Sequence, residues 1–252
     1  MYFSARSSST VFLLFLSMIL LVTSSVNAEA LPSIKQRVDA FNKQMMNDKS
    51  HSNITEQDMA VMAKAAQDIA ASMPDPGLKV GTKAPDFTLG NAFGKPVRLS
   101  DKLQSGPVVL IFYRGAWCPY CNIQLHALRE SVPEFRKHKA SLIAITPQTP
   151  DKSLEQVKKD KFPFEILSDL NDKVARSYNL YFDVPPELHA LYKEKFKLDI
   201  EAYNGKGRVG LPIPGSYVIN QDGVIVAAFA EHDYKVRMEP ADIVKALASI
   251  KK

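Results

Sequence analysis

Apolar positions along the chain fall into three patterns, and each predicts a different kind of element. The first is an almost unbroken run from Val11 to Val22, interrupted only by Ser17 and preceded by a stretch whose single charge is Arg6. Small and polar residues follow it, ending Val26-Asn27-Ala28. This predicts a secretory signal peptide over 1–28, cut after Ala28, with Ala30 as the alternative. The twelve-residue run falls well short of the roughly 20 apolar residues needed to span a bilayer, so a retained anchor is the weaker reading. No cysteine lies near the cut, which excludes lipidation there. The expectation is a secreted or periplasmic protein, free of the membrane once the signal is removed.

The second pattern has apolar residues three and four apart. Ile34, Val38, Phe41 and Met45 form one such stripe, and Met59, Met62, Ala66 and Ile69 form another. They predict two helices in an N-terminal extension over 29–75, suited to packing or to a homodimer contact. Thr55, with Asp58 three residues on, is a candidate cap for the second helix. Met73-Pro74-Asp75-Pro76-Gly77 then breaks the pattern and marks a boundary.

From 76 to 252 the pattern is one of short strands alternating with helices. Phe87–Leu89 and Val97–Leu99 predict a small hairpin around Asn91–Lys95. Pro107–Tyr113 is a continuous apolar run, as expected of a strand buried on both faces. A helix is predicted from Cys118, then a strand at Ser141–Thr146, a helix at Ser153–Asp160, a strand at Phe164–Leu167 and a helix at Asn171–Ser177. Tyr217–Asn220 and Val224–Phe229 flank the turn signal Gln221-Asp222-Gly223, and Pro240–Ile250 closes the chain as a helix. The fold class is α/β, a mixed central sheet flanked by helices. The segment 183–210 breaks the rhythm: a helical piece, Pro186–Phe196, leads into a glycine-rich loop. It reads as an insertion near the active edge or as a surface excursion.

Composition narrows the function. The chain is 46% hydrophobic and 23% charged, ordinary for a globular protein. Its net charge of +5 is spread over 32 basic and 27 acidic residues. It shows no basic block interleaved with aromatics, so a nucleic-acid partner is not expected. The five histidines, His51, His126, His138, His189 and His232, form no short-spaced set beside the cysteines. A zinc site needs about four ligands, so no metal is expected.

Two cysteines are present, Cys118 and Cys121, separated by Pro119 and Tyr120. A bond between them closes a very small ring and constrains the unfolded chain little. In an exported protein such a pair suits exchange chemistry better than stapling. Pro119 favours the first helical turn, which places Cys118 at a helix N-terminus. Free N–H groups and the helix dipole there stabilise a thiolate, the reactive form of a thiol. Cys121 lies one turn on, aligned with Leu125, Leu128 and Val132, so its sulfur is expected to be the more buried of the two. An exposed low-pKa thiol beside a shielded one suits attack followed by resolution. A redox-active Cys118–Cys121 disulfide, with no other cofactor, is the expectation.

Four ordered segments carry a family resemblance: Gly81–Leu89 (GTKAPDFTL), Val108–Tyr113 running into Cys118-Pro119-Tyr120-Cys121, the Ser168-Asp169 pair, and Tyr217–Gly223 (YVINQDG). Over about 76–252 the chain resembles the peroxiredoxin and alkyl hydroperoxide reductase superfamily, in the branch with Arg-Gly-x-Trp-Cys-Pro-Tyr-Cys. The resemblance implies a thioredoxin-like fold and a thioredoxin-dependent peroxidase. In that register Cys121 falls on the peroxide-attacking cysteine, Gln124 on the polar residue three beyond and Arg129 on an arginine eight beyond. Cys118 takes the place of a threonine and Pro214 that of a downstream arginine. Both departures resemble thioredoxin, in which Cys118 becomes the attacking cysteine and Pro214 a cis proline facing the pair. The two registers name different nucleophiles.

Three functions follow from these residues. A thiol-dependent peroxidase reduces hydrogen peroxide or an organic hydroperoxide, with Arg114, Trp117, Gln124 and Arg129 around the peroxide and a thioredoxin-like dithiol as reductant. A thiol:disulfide oxidoreductase needs only Pro214 and the cysteine pair. A redox-sensitive binding module uses 183–210 to hold a partner. The frame from Ala84-Pro85-Asp86-Phe87 onward favours the peroxidase.

Overall fold

The structure, a computed structural model, describes residues 1–2, 30–47 and 54–250. The predicted signal peptide and its cut after Ala28 lie outside the described residues. Contacts divide the chain into Met1–Ala30 and Leu31–Lys252, and every element named below belongs to the second unit.

The extension holds two helices, α1 (Ile34–Asn47) and α2 (Glu56–Ser72). Thr55 and Asp58 form the expected capping box: the Thr55 hydroxyl accepts from the Asp58 N–H, and the Asp58 carboxylate accepts from the Thr55 N–H at 2.8 Å. The hairpin is β1 (Thr88–Asn91) and β2 (Pro96–Arg98), followed by a short helix, α3 (Leu99–Ser105). Then come β3 (Val108–Phe112), α4 (Pro119–Lys137), β4 (Ser141–Thr146), α5 (Pro150–Asp160), β5 (Glu165–Ser168) and α6 (Lys173–Ser177). The insertion carries β6 (Tyr181–Phe182), α7 (Pro186–Lys195), α8 (Glu201–Asn204) and β7 (Leu211–Pro212). The chain closes with β8 (Gly215–Ile219), β9 (Ile225–Ala230) and α9 (Pro240–Ser249).

The main sheet runs β2-β1-β5-β4-β3-β8-β9, with β3, β4 and β5 parallel and the others antiparallel. Its central strand β3 is buried at all five positions. The period-two alternation of a strand divides it between two cores. Val108, Leu110 and Phe112 face one, with Leu103 of α3, Val174 of α6 and Tyr217 of β8. Val109 and Ile111 face the other, with Leu125 and Leu128 of α4, Ile243 and Leu247 of α9 and both cysteines. This two-sided burial is why the run reads as unbroken in sequence.

Four elements carried no sequence prediction, among them the four-residue helix α8. Helix α3 is too short for a helical period to show, and β6 and β7 are two-residue strands that pair only with each other. What they add is local: β7 delivers the chain to Pro214 and β8.

The extension packs on the domain through its apolar stripes. Ile34 and Val38 of α1 rest against Ala127 of α4. The Glu239 carboxylate caps α1, accepting from the Ile34 N–H at 2.8 Å and the Lys35 N–H at 2.7 Å. Ala65 of α2 packs with Leu188 of α7 and Leu211. No helix among the described residues is long and apolar enough to cross a membrane.

Ile34 is 1% exposed, and truncating a buried isoleucine costs about 2–5 kcal/mol. Ile34→Ala is therefore expected to lower the unfolding free energy by an amount in that range, seen as a fall in the urea midpoint. An unchanged midpoint would show that α1 stands outside the cooperative unit.

Candidate active site around Cys118 and Cys121

Strand β3 ends at Phe112, and Tyr113 to Trp117 turn the chain from the sheet edge into α4. Gly115 holds a φ of +152°, and a Cβ there would lie 2.5 Å from Trp117 Nε1, so no other residue fits without moving the indole. A buried amide network fixes the turn. Gln148 Oε1 accepts from the Ala116 N–H at 3.0 Å, Asn122 Nδ2 donates to the Ala116 carbonyl at 2.7 Å, and Gln156 Nε2 donates to Asn122 Oδ1 at 3.0 Å. The Tyr113 hydroxyl joins the same network, 2.9 Å from Gln156 Oε1. Buried polar groups that satisfy one another in this way specify a single backbone path. These amides carry no local sequence motif and were missed in the sequence.

Cys118 is the N-cap of α4 and Pro119 its first residue. The Cys118 sulfur sits where an N-cap oxygen normally would, accepting from the Cys121 backbone N–H at 3.4 Å. The Cys121 thiol donates to it at 2.7 Å, and Arg114 Nη2 donates at 3.4 Å. Burial alone pushes the Cys118 thiol up. The Cys121 hydrogen bond, Arg114 and Arg237 outweigh it and hold Cys118 well below the usual thiol range. Burial and the neighbouring Cys118 push Cys121 well above that range. One negative charge thus rests on Cys118 while Cys121 keeps its proton.

Both sulfurs are free thiols. The expectation of an exposed Cys118 beside a shielded Cys121 is corrected here, since both residues are 0% exposed. The N-cap position that lowers the thiol also places it beneath Arg114 and its aromatic cover. The Arg114 guanidinium lies 3.8 Å from the Tyr234 ring centroid and 5.2 Å from that of Trp117.

The other predicted residues divide. Arg114 stands on the pair and is 6% exposed. Trp117 lies beside Arg114, its indole N–H buried without a hydrogen-bond partner. Gln124 is buried but turns away from the sulfurs, donating to Ser216 Oγ at 3.1 Å and accepting from Arg237 Nε at 2.9 Å. Arg129 is a correction. It lies two turns beyond Cys121, roughly 12 Å along the helix axis, and its Nη1 donates to the Asp160 carbonyl at 2.8 Å. Pro214 is a second correction, because no peptide bond among the described residues is cis. The chain here is extended, with Leu211–Pro212 paired to β6, the Ile213 N–H on the Leu180 carbonyl at 2.7 Å and Gly215 already in β8. A trans bond continues that path without a turn. Ser168 ends β5, and the Asp169 carboxylate accepts from the Ala175 N–H at 2.8 Å, holding α6.

Arg237 is the residue that sequence reasoning missed. It comes from the loop between β9 and α9, is 6% exposed, and points Nη2 at the Cys121 sulfur at 3.6 Å. Nothing in the local sequence separates it from a surface charge.

A cavity of about 650 Å³ opens beside the pair, within the range of pockets that hold organic ligands. Arg114, Trp117, Pro119 and Pro214 form its wall at the cysteines, and α2 and the insertion supply Met62, Leu188 and Tyr192. Elsewhere, His189, Asp199 and Glu201 bring their ligand atoms within 4.8 Å of one another. Lys193 sits on both carboxylates at 3.3 and 3.2 Å, so that cluster already holds a cation.

A thioredoxin-like sheet carrying a low-pKa cysteine at the start of the helix after its central strand defines a class, the thiol-based oxidoreductases. Residues 80–228 match the AhpC/TSA family, and the chain belongs to it. It is 29% identical over 171 residues to peroxiredoxin Q of Sedum lineare chloroplasts, covering 68% of this chain and 78% of the relative. It is 30% identical over 173 residues to the bcp peroxiredoxin of Haemophilus influenzae, covering 69% of this chain and 98% of the relative. The crystal structure of peroxidoxin BcpB from Mycobacterium tuberculosis superposes with a TM-score of 0.56 at 24% identity, over 69% of this chain and 99% of that one, and shares its fold. The chain is a thiol-dependent peroxidase of the peroxiredoxin type, an oxidoreductase.

Removing a cation about 3–4 Å from a thiolate raises the thiol pKa by about 1–3 units. Arg114→Met is therefore expected to move the pH midpoint of Cys118 alkylation upward by that amount. The sign follows from the charge, since a thiolate without its guanidinium needs a higher pH to form. A midpoint that stays in place would mean that Arg114 does not hold the charge.

Proposed function

We propose that this peroxidase works through a dithiol, with Cys118 attacking the peroxide and Cys121 resolving the product. The observation that carries the assignment is the set of three donors on the Cys118 sulfur: the Cys121 thiol, the Cys121 N–H and Arg114. A thiolate so held is the nucleophile at neutral pH, while the protonated Cys121 is not.

The Cys118 thiolate displaces on one peroxide oxygen. An S–O bond forms, the O–O bond breaks and the alkoxide or hydroxide leaves with a proton as an alcohol or water. Cys118 is then a sulfenic acid, and Cys121 condenses with it, releasing water and forming the disulfide. A thioredoxin-type dithiol returns both sulfurs to thiols by exchange. The guanidinium of Arg114 faces the developing negative charge on the leaving oxygen. The apolar cavity at Trp117 and Pro214 supports organic hydroperoxides as substrates alongside hydrogen peroxide.

The leader-like pattern of 1–28 supports a place outside the cytoplasm, secreted or periplasmic. A homodimer through the outer faces of α1 and α2, where Met46 and Met59 are exposed, completes the proposal. The oxidoreductase alternative loses support, because the trans bond at Pro214 removes one of its two local likenesses.

Treating reduced variants with hydrogen peroxide and a sulfenic-acid trap tests the order of attack. Cys121→Ser is expected to form and keep a sulfenic acid on Cys118, whereas Cys118→Ser forms none at an enzymatic rate. The reverse pattern assigns the attack to Cys121. Ala66→Phe, which fills part of the cavity, is expected to slow turnover of cumene hydroperoxide more than that of hydrogen peroxide. Equal effects on both would separate the cavity from the substrate.

A further inference from the structure

Arg237 is not among the three donors on Cys118, and it is the more elaborately held of the two arginines. Its Nε donates to Gln124 Oε1 at 2.9 Å, and Gln124 is fixed in turn by Ser216 on β8 at 3.1 Å. Its Nη1 donates to the Tyr234 and Val236 carbonyls, which leaves Nη2 for the Cys121 sulfur at 3.6 Å. All these partners, the protonated Cys121 included, are neutral groups at rest. Arg114 and Arg237 thus bring two positive charges to a buried pair that carries one negative charge at rest. The other titratable groups around the sulfurs are the phenols of Tyr113, Tyr120, Tyr192 and Tyr234.

We infer that Arg237, held by Gln124, is a further catalytic residue that takes up the negative charge on Cys121 once Cys118 is oxidised, and so drives disulfide closure. This rests on Cys118 being the attacking sulfur. When the Cys118 thiolate becomes a sulfenic acid, the charge that kept the Cys121 proton in place is gone. The departing alkoxide or hydroxide accepts that proton and leaves as an alcohol or water. Cys121 is then a thiolate against Arg237, one helical turn from the electrophilic sulfur. It attacks, an S–S bond forms, and the S–O bond breaks to release hydroxide, which takes a solvent proton to become water. Arg114 makes its contact to Cys118, and Arg237, which lowers Cys118 only slightly at rest, makes its contact to Cys121. Gln124 acts through Arg237 and is a positioning residue.

Stopped-flow oxidation of the full reduced chain by hydrogen peroxide separates the stages, since Trp117, the chain's one tryptophan, stands beside Cys118 and reports both. Arg237→Met is expected to slow disulfide closure about a hundredfold at neutral pH, with closure recovering as pH rises, and to slow sulfenic-acid formation far less, because Arg237 is the smallest of the influences that lower Cys118. That range corresponds to about two units of thiol pKa, within the span of a lost charge partner. Arg237→Lys, which keeps the charge, should restore most of the closure rate. If Arg237→Met does not fold, Gln124→Leu, which frees the guanidinium, should show the same stage-specific defect at about tenfold. An unchanged closure rate overturns the inference, as does an equal loss in both stages. Rapid sulfenic-acid formation in Cys118→Ser would instead overturn the assignment of the attacking sulfur, a separate failure.

Discussion

A guanidinium moved out of water costs several kcal/mol unless an anion stands beside it. Arg114 and Arg237 are each 6% exposed and meet at a pair of sulfurs. A thiolate there offsets one of the two buried cations, which without it would both stand uncompensated. The thiolate needs the cations as much, because burial alone disfavours a charged sulfur. This mutual requirement explains why a residue normally left at a helix tip in solvent lies fully covered here. A buried thiolate with three donors keeps its charge, and the aromatic rings over Arg114 exclude water that would weaken the attraction.

The supporting frame follows from that constraint. Strand β3 is the most completely buried strand next to the turn, so the position of Cys118 is fixed relative to a rigid edge. The amides of Gln148, Asn122 and Gln156 satisfy the backbone of the turn without adding charge. A carboxylate in their place would compete with the sulfur for Arg114. Gln124 serves Arg237 in the same neutral way. The lack of acid groups among these contacts keeps the arginines available to the cysteines.

Much of this was legible in the chain. The double-sided strand Pro107–Tyr113, the cap at Thr55 and the helix start at Cys118-Pro119 each rest on a local rule, a periodicity or a turn residue, and local rules survive folding. Arg114 was also within reach, being four residues from Cys118. Arg237, Tyr234 and the amide network were not, because they arrive from loops and helices up to about 116 positions away in sequence. Only the sheet order brings them together. The errors share that origin. Arg129 was carried over by counting along α4, but eight residues of helix lead away from the sulfurs. Pro214 was assigned a bend where the chain runs extended between β7 and β8.

The family register and the geometry disagree about the nucleophile, and the disagreement has a physical source. In that register a hydroxyl residue occupies position 118 and a downstream arginine occupies 214. Replacing the hydroxyl by a thiol puts a second ionisable sulfur at the N-cap, one turn nearer the free N–H groups. Two thiols this close, 2.7 Å between sulfurs, share one charge at rest. The charge settles where the donors are most numerous, and Cys118 has a backbone N–H, a thiol and Arg114, whereas Cys121 has Arg237. Position 214 carries no arginine, while Arg237, from the loop between β9 and α9, points at the sulfur that lacks the charge at rest. Cys121 keeps the place in the sequence, but the donors that favour a thiolate converge on Cys118.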